Sequence, residues 1–460
     1  MTVDLLVLGA GPAGVGAAYR AATASRSVAV IERSDRVGGA SASFEVAGQR
    51  VDVGSHRLHP STDPVILEHI DRALEGRLQR RPRNGRIRLA GRWIAFPLRP
   101  VNLLTQLPLS FGARAALDAA TGFRRSAERD TFADLLRAGL GPTICERFYF
   151  PYARKLWGLE PEDISGEQAR RRVAASSPTR LLTRILPGRR SEAPHFYYPS
   201  DGFGAIVESL ARVATMAGAE FRFGVAATSV ELGDDAVAVT LDSGETLEGR
   251  RLWSTIPVTV LARLIAPAAP DEVIEAATSL EFRSMVLVYL VLDVDRYTAY
   301  DAHYLPEPYT PVTRISEPKN YRDGPDPVGQ TVLCAEIPCS LGGDVWRASD
   351  EALGRIVADA LSASNLPRVV PRNIVTHRLS HAYPVYRVGY ERSYEVVDRW
   401  VSGLPRLLTF GRQGLFVHDN SHHAYAMAWA AADALRPDGG FDERAWSDAR
   451  ARFSRHVVED

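Results

Sequence analysis

The first forty residues alternate between apolar runs and turns in a pattern that predicts strand, helix and strand. The segment 3–8 is apolar apart from Asp4, which indicates a strand covered on both faces. Small and apolar residues over 15–24 predict a closely packed helix, and a second apolar run over 27–31 predicts the next strand. This order favours a parallel βαβ unit.

The turn of this unit carries glycines at the spacing G-x-G-x-x-G, at Gly9, Gly11 and Gly14, and Glu32 ends the second strand. One glycine makes the turn, one lets backbone N–H groups approach a pyrophosphate, and one lets helix and strand pack closely. An acid at the end of the second strand accepts hydrogen bonds from ribose hydroxyls. The full context predicts a dinucleotide site rather than a structural turn.

The later hydrophobic pattern predicts an α/β fold whose domains are interleaved along the chain. Alternating residues over 236–247 predict a hairpin, apolar runs over 280–295 and 328–338 predict strands, and residues 100–190 have a helical period. The predicted units are a Rossmann-type dinucleotide-binding domain over 1–75, 195–262 and 405–436, a mixed-sheet substrate domain over 76–99 and 263–404, a helical insertion over 100–194, and a peripheral C-terminal helix over 437–460.

Composition narrows the class of protein. The chain has 460 residues, 45% of them hydrophobic, which is enough for two or three cores. Its net charge is zero and it has no basic tail, so nucleic acid is not an expected partner. No apolar stretch approaches the length of a membrane span, and the first apolar run is too short for a signal peptide. Three cysteines without metal-type spacing suit a reducing compartment, and we expect a cytoplasmic protein.

A second glycine pair, Gly38 and Gly39, follows Glu32 and lets the chain pass close to an extended cofactor. With this pair the sequence resembles the FAD-containing superfamily of amine oxidases, protoporphyrinogen oxidases, phytoene desaturases and UDP-galactopyranose mutases. The resemblance implies an FAD-binding domain and FAD as cofactor. We expect non-covalent binding, because no cysteine lies near the C-terminal strand that the family places at the flavin.

Four further segments resemble the mutase branch of this superfamily. They are Asp52–His59, residues 85–98, Tyr149–Gly158, and Ala382–Tyr386 together with 411–420. In the family the last of these precedes a helix whose N-terminal backbone stabilises negative charge on the flavin pyrimidine ring. The chain departs from the pattern at Leu58, where an aromatic is usual, and at His422, where relatives commonly carry an acid.

The resemblance implies two sets of site residues. The expected cofactor-binding residues are Gly9, Gly11, Gly14, Glu32, Arg33, Gly38, Gly39, Ala40, Ser41, Gly54, Ser55, His56, Gly411, Arg412, Asp419, His422, Ala424 and Tyr425. The expected catalytic or substrate-contacting residues are His56, Arg57, Arg154, Lys155, Tyr383 and Tyr386.

Several of these residues have a structural alternative. Arg154 and Lys155 could cap a helix end, and Tyr383 and Tyr386 could be core aromatics. Adjacent histidines at one helix start point in different directions, and no carboxylate or cysteine is spaced for zinc, so we predict no metal site near His422.

Two functions fit the sequence. In the first, an oxidoreductase passes hydride from a small anionic or sugar-like substrate to flavin N5, with the protein supplying orientation and electrostatics. In the second, a nucleotide-sugar mutase of the UDP-galactopyranose mutase type uses reduced FAD as a nucleophile without net redox change. The departures at Leu58 and His422 place the oxidoreductase first. Substrate identity is not encoded in a recognisable motif.

Overall fold

The computed structural model describes residues 2–96, 107–122, 130–172 and 194–458. Within these ranges the first predicted strand lies inside a parallel sheet, paired on one side with the second strand and on the other with a strand from the middle of the chain. In spatial order the strands of this sheet are Leu407–Thr409, Leu252–Ser254, Leu5–Leu8, Val28–Glu32 and Glu220–Phe223.

Helices cover both faces of the parallel sheet. Pro12–Thr23 packs against Ala205–Met216 and Ser421–Asp433, and its small residues allow close approach: a Cβ on Gly16 would lie 3.0 Å from the Ala428 Cβ. The remaining helices around this sheet are Pro64–Ala73, Val258–Leu264, Asp271–Ser279, Tyr390–Ser402, Gly411–Gly414 and Glu443–Phe453.

A large mixed sheet forms the second layer. The strand Phe282–Leu292, second from one edge, is buried over most of its length and pairs antiparallel with a strand on each side. In spatial order its strands are Asn373–Pro384, Phe282–Leu292, Thr331–Cys339, Arg314–Ser316, Ala302–Tyr304, Gly85–Leu89 and Arg92–Phe96. Helices Asp344–Arg347 and Asp350–Ala363 accompany it.

Smaller β elements complete the layers. The strands of the small mixed sheet are Thr246–Gly249, Val237–Leu241, Ala227–Leu232 and Ile265–Ala266, and the strand pairs are Ser43–Val46 with Gln49–Asp52 and Leu78–Pro82 with His195–Pro199. The predicted α/β class, with a Rossmann-type parallel sheet and a mixed second sheet, is confirmed.

The described parts of the predicted insertion are mainly helical. Its helices are Leu109–Gly122, Phe132–Leu140, Pro142–Ile144, Phe150–Trp157 and Gly166–Arg172, with a π-helical stretch at Cys145–Tyr149. They enclose their own small core, which includes Phe132 and Phe150. The rest of this predicted segment lies outside the described residues. Across the ranges that the structure describes, no helix is both long and apolar enough to cross a bilayer.

Candidate active site

A cavity of about 860 Å³ lies at the carboxyl ends of the parallel strands. Its wall is built from the glycine turn, the loop after Asp52, the strand Asn373–Pro384 and the segment 411–421. Ligands of open α/β sheets bind at this edge, because the strand ends and helix N-termini converge there. The cavity is therefore the candidate site.

The glycine turn is shaped to bring backbone close to a ligand. Gly9 has φ +95°, and a Cβ on Gly14 would lie 1.8 Å from the Gly9 carbonyl oxygen, so the turn closes only with glycine at position 14. A Cβ on Gly11 would meet no protein atom within 4 Å. Gly11 therefore leaves open space at the N-terminus of helix Pro12–Thr23, where a diphosphate is stabilised.

Glu32 stands beside this turn. Its carboxylate accepts hydrogen bonds from the backbone N–H of Ala10, at 2.8 Å, and of Ser34, at 2.9 Å. The Gly38 N–H donates to the Ala10 carbonyl at 2.8 Å, which brings the second glycine pair against the first turn. The carboxylate keeps further acceptor capacity toward the cavity. Turn, acid and glycine pair together fit the ribose and diphosphate of FAD.

Hydrogen bonds from buried polar groups hold the loop after strand Gln49–Asp52 in place. Asp52 accepts from Ser43 Oγ at 2.6 Å and from the Phe203 N–H at 3.0 Å. The Ser55 N–H donates to Glu336 Oε1 at 3.0 Å, and Arg314 donates to the same oxygen at 2.7 Å. This fixed loop presents the next two side chains to the cavity.

His56 and Arg57 project from that loop. The His56 Nε2–H donates to the Val53 carbonyl at 2.8 Å, and burial lowers the pKa of His56, so the ring is neutral. Arg57 pairs with Asp301 at 3.2 Å. Although burial opposes its charge, Tyr321 and Asp301 hold the pKa of Arg57 above its ordinary value. Arg57 is therefore a fixed cation on the wall.

A second cationic region lies around Tyr383. The guanidinium carbons of Arg412 and Arg172 are 4.9 Å and 5.2 Å from the centre of the Tyr383 ring. The His418 ring stacks on Tyr383 with centroids 5.9 Å apart. Burial, with a further contribution from Arg172, lowers the pKa of Arg412, and burial and both arginines hold the pKa of His418 well below its ordinary value. We call Arg172, Arg412 and Tyr383 the arginine clamp.

Fifteen of the predicted residues line the cavity. They are Gly9, Gly11, Glu32, Arg33, Gly39, Ala40, Ser41, Ser55, His56, Arg57, Tyr383, Gly411, Arg412, Asp419 and Ala424. Three predicted glycines, Gly14, Gly38 and Gly54, lie behind the wall and set its backbone, with φ of +118° at Gly38 and +93° at Gly54.

Five predicted residues do not reach the cavity wall. Lys155 donates to the carbonyls of Leu305, Glu307 and Val312, and Arg154 pairs with Glu160 at 2.7 Å near the surface. Tyr386 is buried with its hydroxyl donating to the Phe416 carbonyl, Tyr425 is buried in the core, and His422 packs on His59. Lys155 therefore binds the loop over residues 305–312 rather than the end of its own helix, and Tyr386 and Tyr425 occupy core positions.

Sequence reasoning missed several wall residues. They include Arg172, Arg314, Tyr304, Glu336 and His418. In a chain with many arginines, Arg172 and Arg314 give no local signal. His418 lies in the segment 411–420 that carries the resemblance, but its stacking on Tyr383 depends on a strand distant in sequence.

Comparison with known proteins agrees with this geometry. A Mycobacterium tuberculosis protein named as a flavin-containing monoamine oxidase, AofH, is 29% identical over 289 residues, which are 59% of this chain and 61% of that protein. The aligned part thus spans about three fifths of the length of that relative. A solved structure of reduced UDP-galactopyranose mutase superposes with a TM-score of 0.84 at 22% identity, covering 100% of both chains.

A structure described as a protoporphyrinogen oxidase from Exiguobacterium sp. 255-15 gives a TM-score of 0.72 at 18% identity, over 95% of this chain and 99% of that one. At these identities the two structures establish the fold. The sequence profile of the family described as "Flavin containing amine oxidoreductase" matches residues 12–433. This chain therefore belongs to the flavin-containing amine oxidoreductase family, with FAD as its cofactor.

Proposed function

We propose that this protein is an FAD-dependent oxidoreductase that oxidises a small anionic or sugar-like substrate. Bound FAD supplies a hydride acceptor at flavin N5. The protein supplies the cavity, the orientation of the substrate and the electrostatic environment. Residues of the Asp52 loop and the arginine clamp line the cavity, and both contribute fixed positive charge to it.

The observation that carries this proposal is the charge of the cavity. Arg57 and Arg314 are matched by Asp301 and Glu336. Across the described part of the chain, by contrast, no carboxylate lies within ion-pair distance of the two clamp arginines. A buried guanidinium without a counter-ion is costly, and an anionic substrate group supplies the missing charge. An ammonium substrate would be repelled by the same pair.

The clamp suits a planar or branched anion. Arginine presents a rigid fork of N–H donors to carboxylate or phosphate oxygens. Both forks lie within cation–π distance of the Tyr383 ring, a contact that helps to orient them. Neutral His418 adds no charge beside them, and Asp419 is the carboxylate whose charge reaches Arg412.

Anaerobic titration tests the redox assignment. Purified protein with oxidised FAD is mixed without oxygen with hydroxy acids, sugar phosphates and nucleotide sugars, and flavin absorbance is followed. We expect one anionic class to bleach the flavin and neutral or cationic analogues of the same size to leave it unchanged. Bleaching by amines alone would contradict the proposal.

A mutase is the second candidate, because two adjacent arginine forks also suit the diphosphate of a nucleotide sugar. The structural likeness to UDP-galactopyranose mutase supports the same reading at the level of fold. The two functions differ in their starting state. If a nucleotide sugar is isomerised only after dithionite reduction, with no change in its oxidation state, the mutase reading replaces the oxidoreductase.

A further inference from the structure

A carboxylate and two imidazoles converge at one edge of the cavity, where the charge of Asp419 also acts on Arg412 of the arginine clamp. Asp419 lies 3.1 Å from His456 Nδ1 and 3.5 Å from His423 Nδ1. The rings of His423 and His456 stack with centroids 4.1 Å apart. One ligand atom from each of the three residues lies within 4.8 Å of the other two. We call this group the Asp–His–His cluster.

Hydrogen bonds leave the cluster incompletely satisfied. The Asp419 side chain has no exposed surface, and its Oδ1 has no hydrogen-bond donor within the described ranges. The His423 Nδ1 accepts from the backbone N–H of Asn420 at 3.3 Å, so its lone pair rather than a proton faces this region. Asp419 Oδ1 therefore lies 3.5 Å from a nitrogen that has no proton to donate to it.

The ligand atoms of the cluster, two imidazole nitrogens and one carboxylate oxygen, are of the kinds that bind transition-metal ions. A neutral imidazole and a buried carboxylate are the protonation states that bind metal ions. The N-terminus of helix Ser421–Asp433 disfavours a cation nearby, and the Asp419 charge offsets this effect.

We propose that Asp419, His423 and His456 bind a divalent transition-metal ion such as Zn²⁺. Two imidazoles with one carboxylate form a donor set used by zinc and by iron(II), and three protein ligands leave further positions for water or another ligand. Asp419 lies just before helix Ser421–Asp433, His423 lies in its first turn, and His456 follows helix Glu443–Phe453. A bound ion would hold the segment that follows helix Glu443–Phe453, through His456, against the cavity wall.

The sequence does not reveal this cluster. His423 and Asp419 are four residues apart across a helix start, and the third ligand follows another helix. The neighbouring His422 is excluded from the set by its own contacts, because its Nε2 faces Ser61 Oγ at 3.3 Å and its ring stacks on His59.

Zinc stoichiometry tests the proposal on FAD-loaded protein without a polyhistidine tag. Metal-free samples are dialysed against Zn²⁺ in the presence of a competing chelator, and bound zinc is measured by mass spectrometry. We expect one ion per chain in the wild type and at least tenfold weaker binding in Asp419→Asn and His456→Gln. His69→Gln is the matched control, since His69 packs on Tyr19 and Trp429 away from the cluster, and should retain the ion.

The design remains decisive if a substitution disturbs folding. FAD content and melting temperature identify a misfolded variant, and X-ray absorption of zinc-loaded wild type should then show two imidazoles and one carboxylate at the metal. Zinc binding that is equal in wild type and a folded Asp419→Asn variant would overturn the proposal and leave an Asp–His hydrogen-bonded pair. None of these readouts depends on substrate turnover, so failure of the proposed reaction would not affect them.

Discussion

Lysine is rare in this chain, and both lysines are buried donors to backbone carbonyls. Lys155 and Lys319 occur among 460 residues that otherwise use arginine for positive charge. The Lys319 ammonium donates to the carbonyls of Pro327 and Gln330 as well as to Asp295. A compact ammonium donates in three directions, whereas the planar arginine fork does not. Both lysines of this chain thus occur where several backbone carbonyls surround one ammonium group.

Replacing Lys155 should lower stability rather than alter substrate binding. Lys155→Met leaves the carbonyls of Leu305, Glu307 and Val312 without a donor, and we expect a loss of about 1–3 kcal/mol in the free energy of unfolding. Denaturant titration measures it. FAD content should be unchanged, and Arg154→Met, which removes only an exposed ion pair, should stay within about 1 kcal/mol of wild type. Normal stability with a raised KM would return Lys155 to the site.

Removing a clamp arginine should weaken anionic substrates. Arg172→Met deletes a fork without a carboxylate partner in the described residues, and one charge-assisted hydrogen bond contributes about 1.5–3 kcal/mol, or about 10- to 150-fold in kcat/KM. Arg170→Met is the matched control, because Arg170 lies on the same helix but pairs with Asp130 at the surface. Equal kinetics for the two variants would argue against the clamp.

At the scale of elements, the sequence pattern predicted those structures that form between residues close together in the chain. The βαβ unit with Gly9, Gly11, Gly14 and Glu32 forms within thirty residues, and its geometry follows from steric rules that act locally. Pairs such as the Arg172 guanidinium over Tyr383 join distant elements, so no local pattern encodes them.

The two predicted tyrosines lie on either side of a strand end. Tyr383 faces the cavity from strand Asn373–Pro384. Tyr386 lies two residues beyond the end of that strand and is buried with its hydroxyl donating to the Phe416 carbonyl. The resemblance implied substrate contact for both tyrosines, but the chain leaves the sheet between them, so their side chains have different surroundings.

The glycine turn gives a matched pair of substitutions at this scale. Gly14→Ala would place a Cβ 1.8 Å from the Gly9 carbonyl, so the βαβ unit itself should be disrupted and both melting temperature and FAD content should fall. Gly11→Val points into open space, so the apoprotein should keep its melting temperature while FAD binding is lost to a clash with the diphosphate. The ratio of flavin to protein absorbance and a thermal melt distinguish them; retained FAD in Gly11→Val would contradict the site assignment.

At the scale of the molecule, the cavity joins chain segments that are distant in sequence. Residues from the glycine turn, the Asp52 loop, segment 377–383 and segment 411–421 line one space. A ligand bound there contacts all of them and stabilises the folded state by mass action, about 2.7 kcal/mol at a hundredfold excess over Kd.

Removing FAD should therefore lower the melting temperature of the whole protein. Mild denaturation should release FAD into solution, because no cysteine among the described residues lines the cavity. Adding FAD back should restore the melt, whereas FMN should not, because it lacks the adenosine that Glu32 and the glycine turn are shaped to hold. Flavin that stays attached to the denatured chain would show a covalent link.

The order of strands in the parallel sheet has a consequence for biosynthesis. Leu6 pairs with Leu252, which in turn pairs with Leu407. The parallel sheet can therefore be completed only after most of the chain has left the ribosome. Until then the nascent chain carries open strand edges, which favour aggregation and slow folding. Expression at low temperature with chaperones and riboflavin should raise the yield, and fragments that end before Leu407 should not fold as an isolated flavin domain.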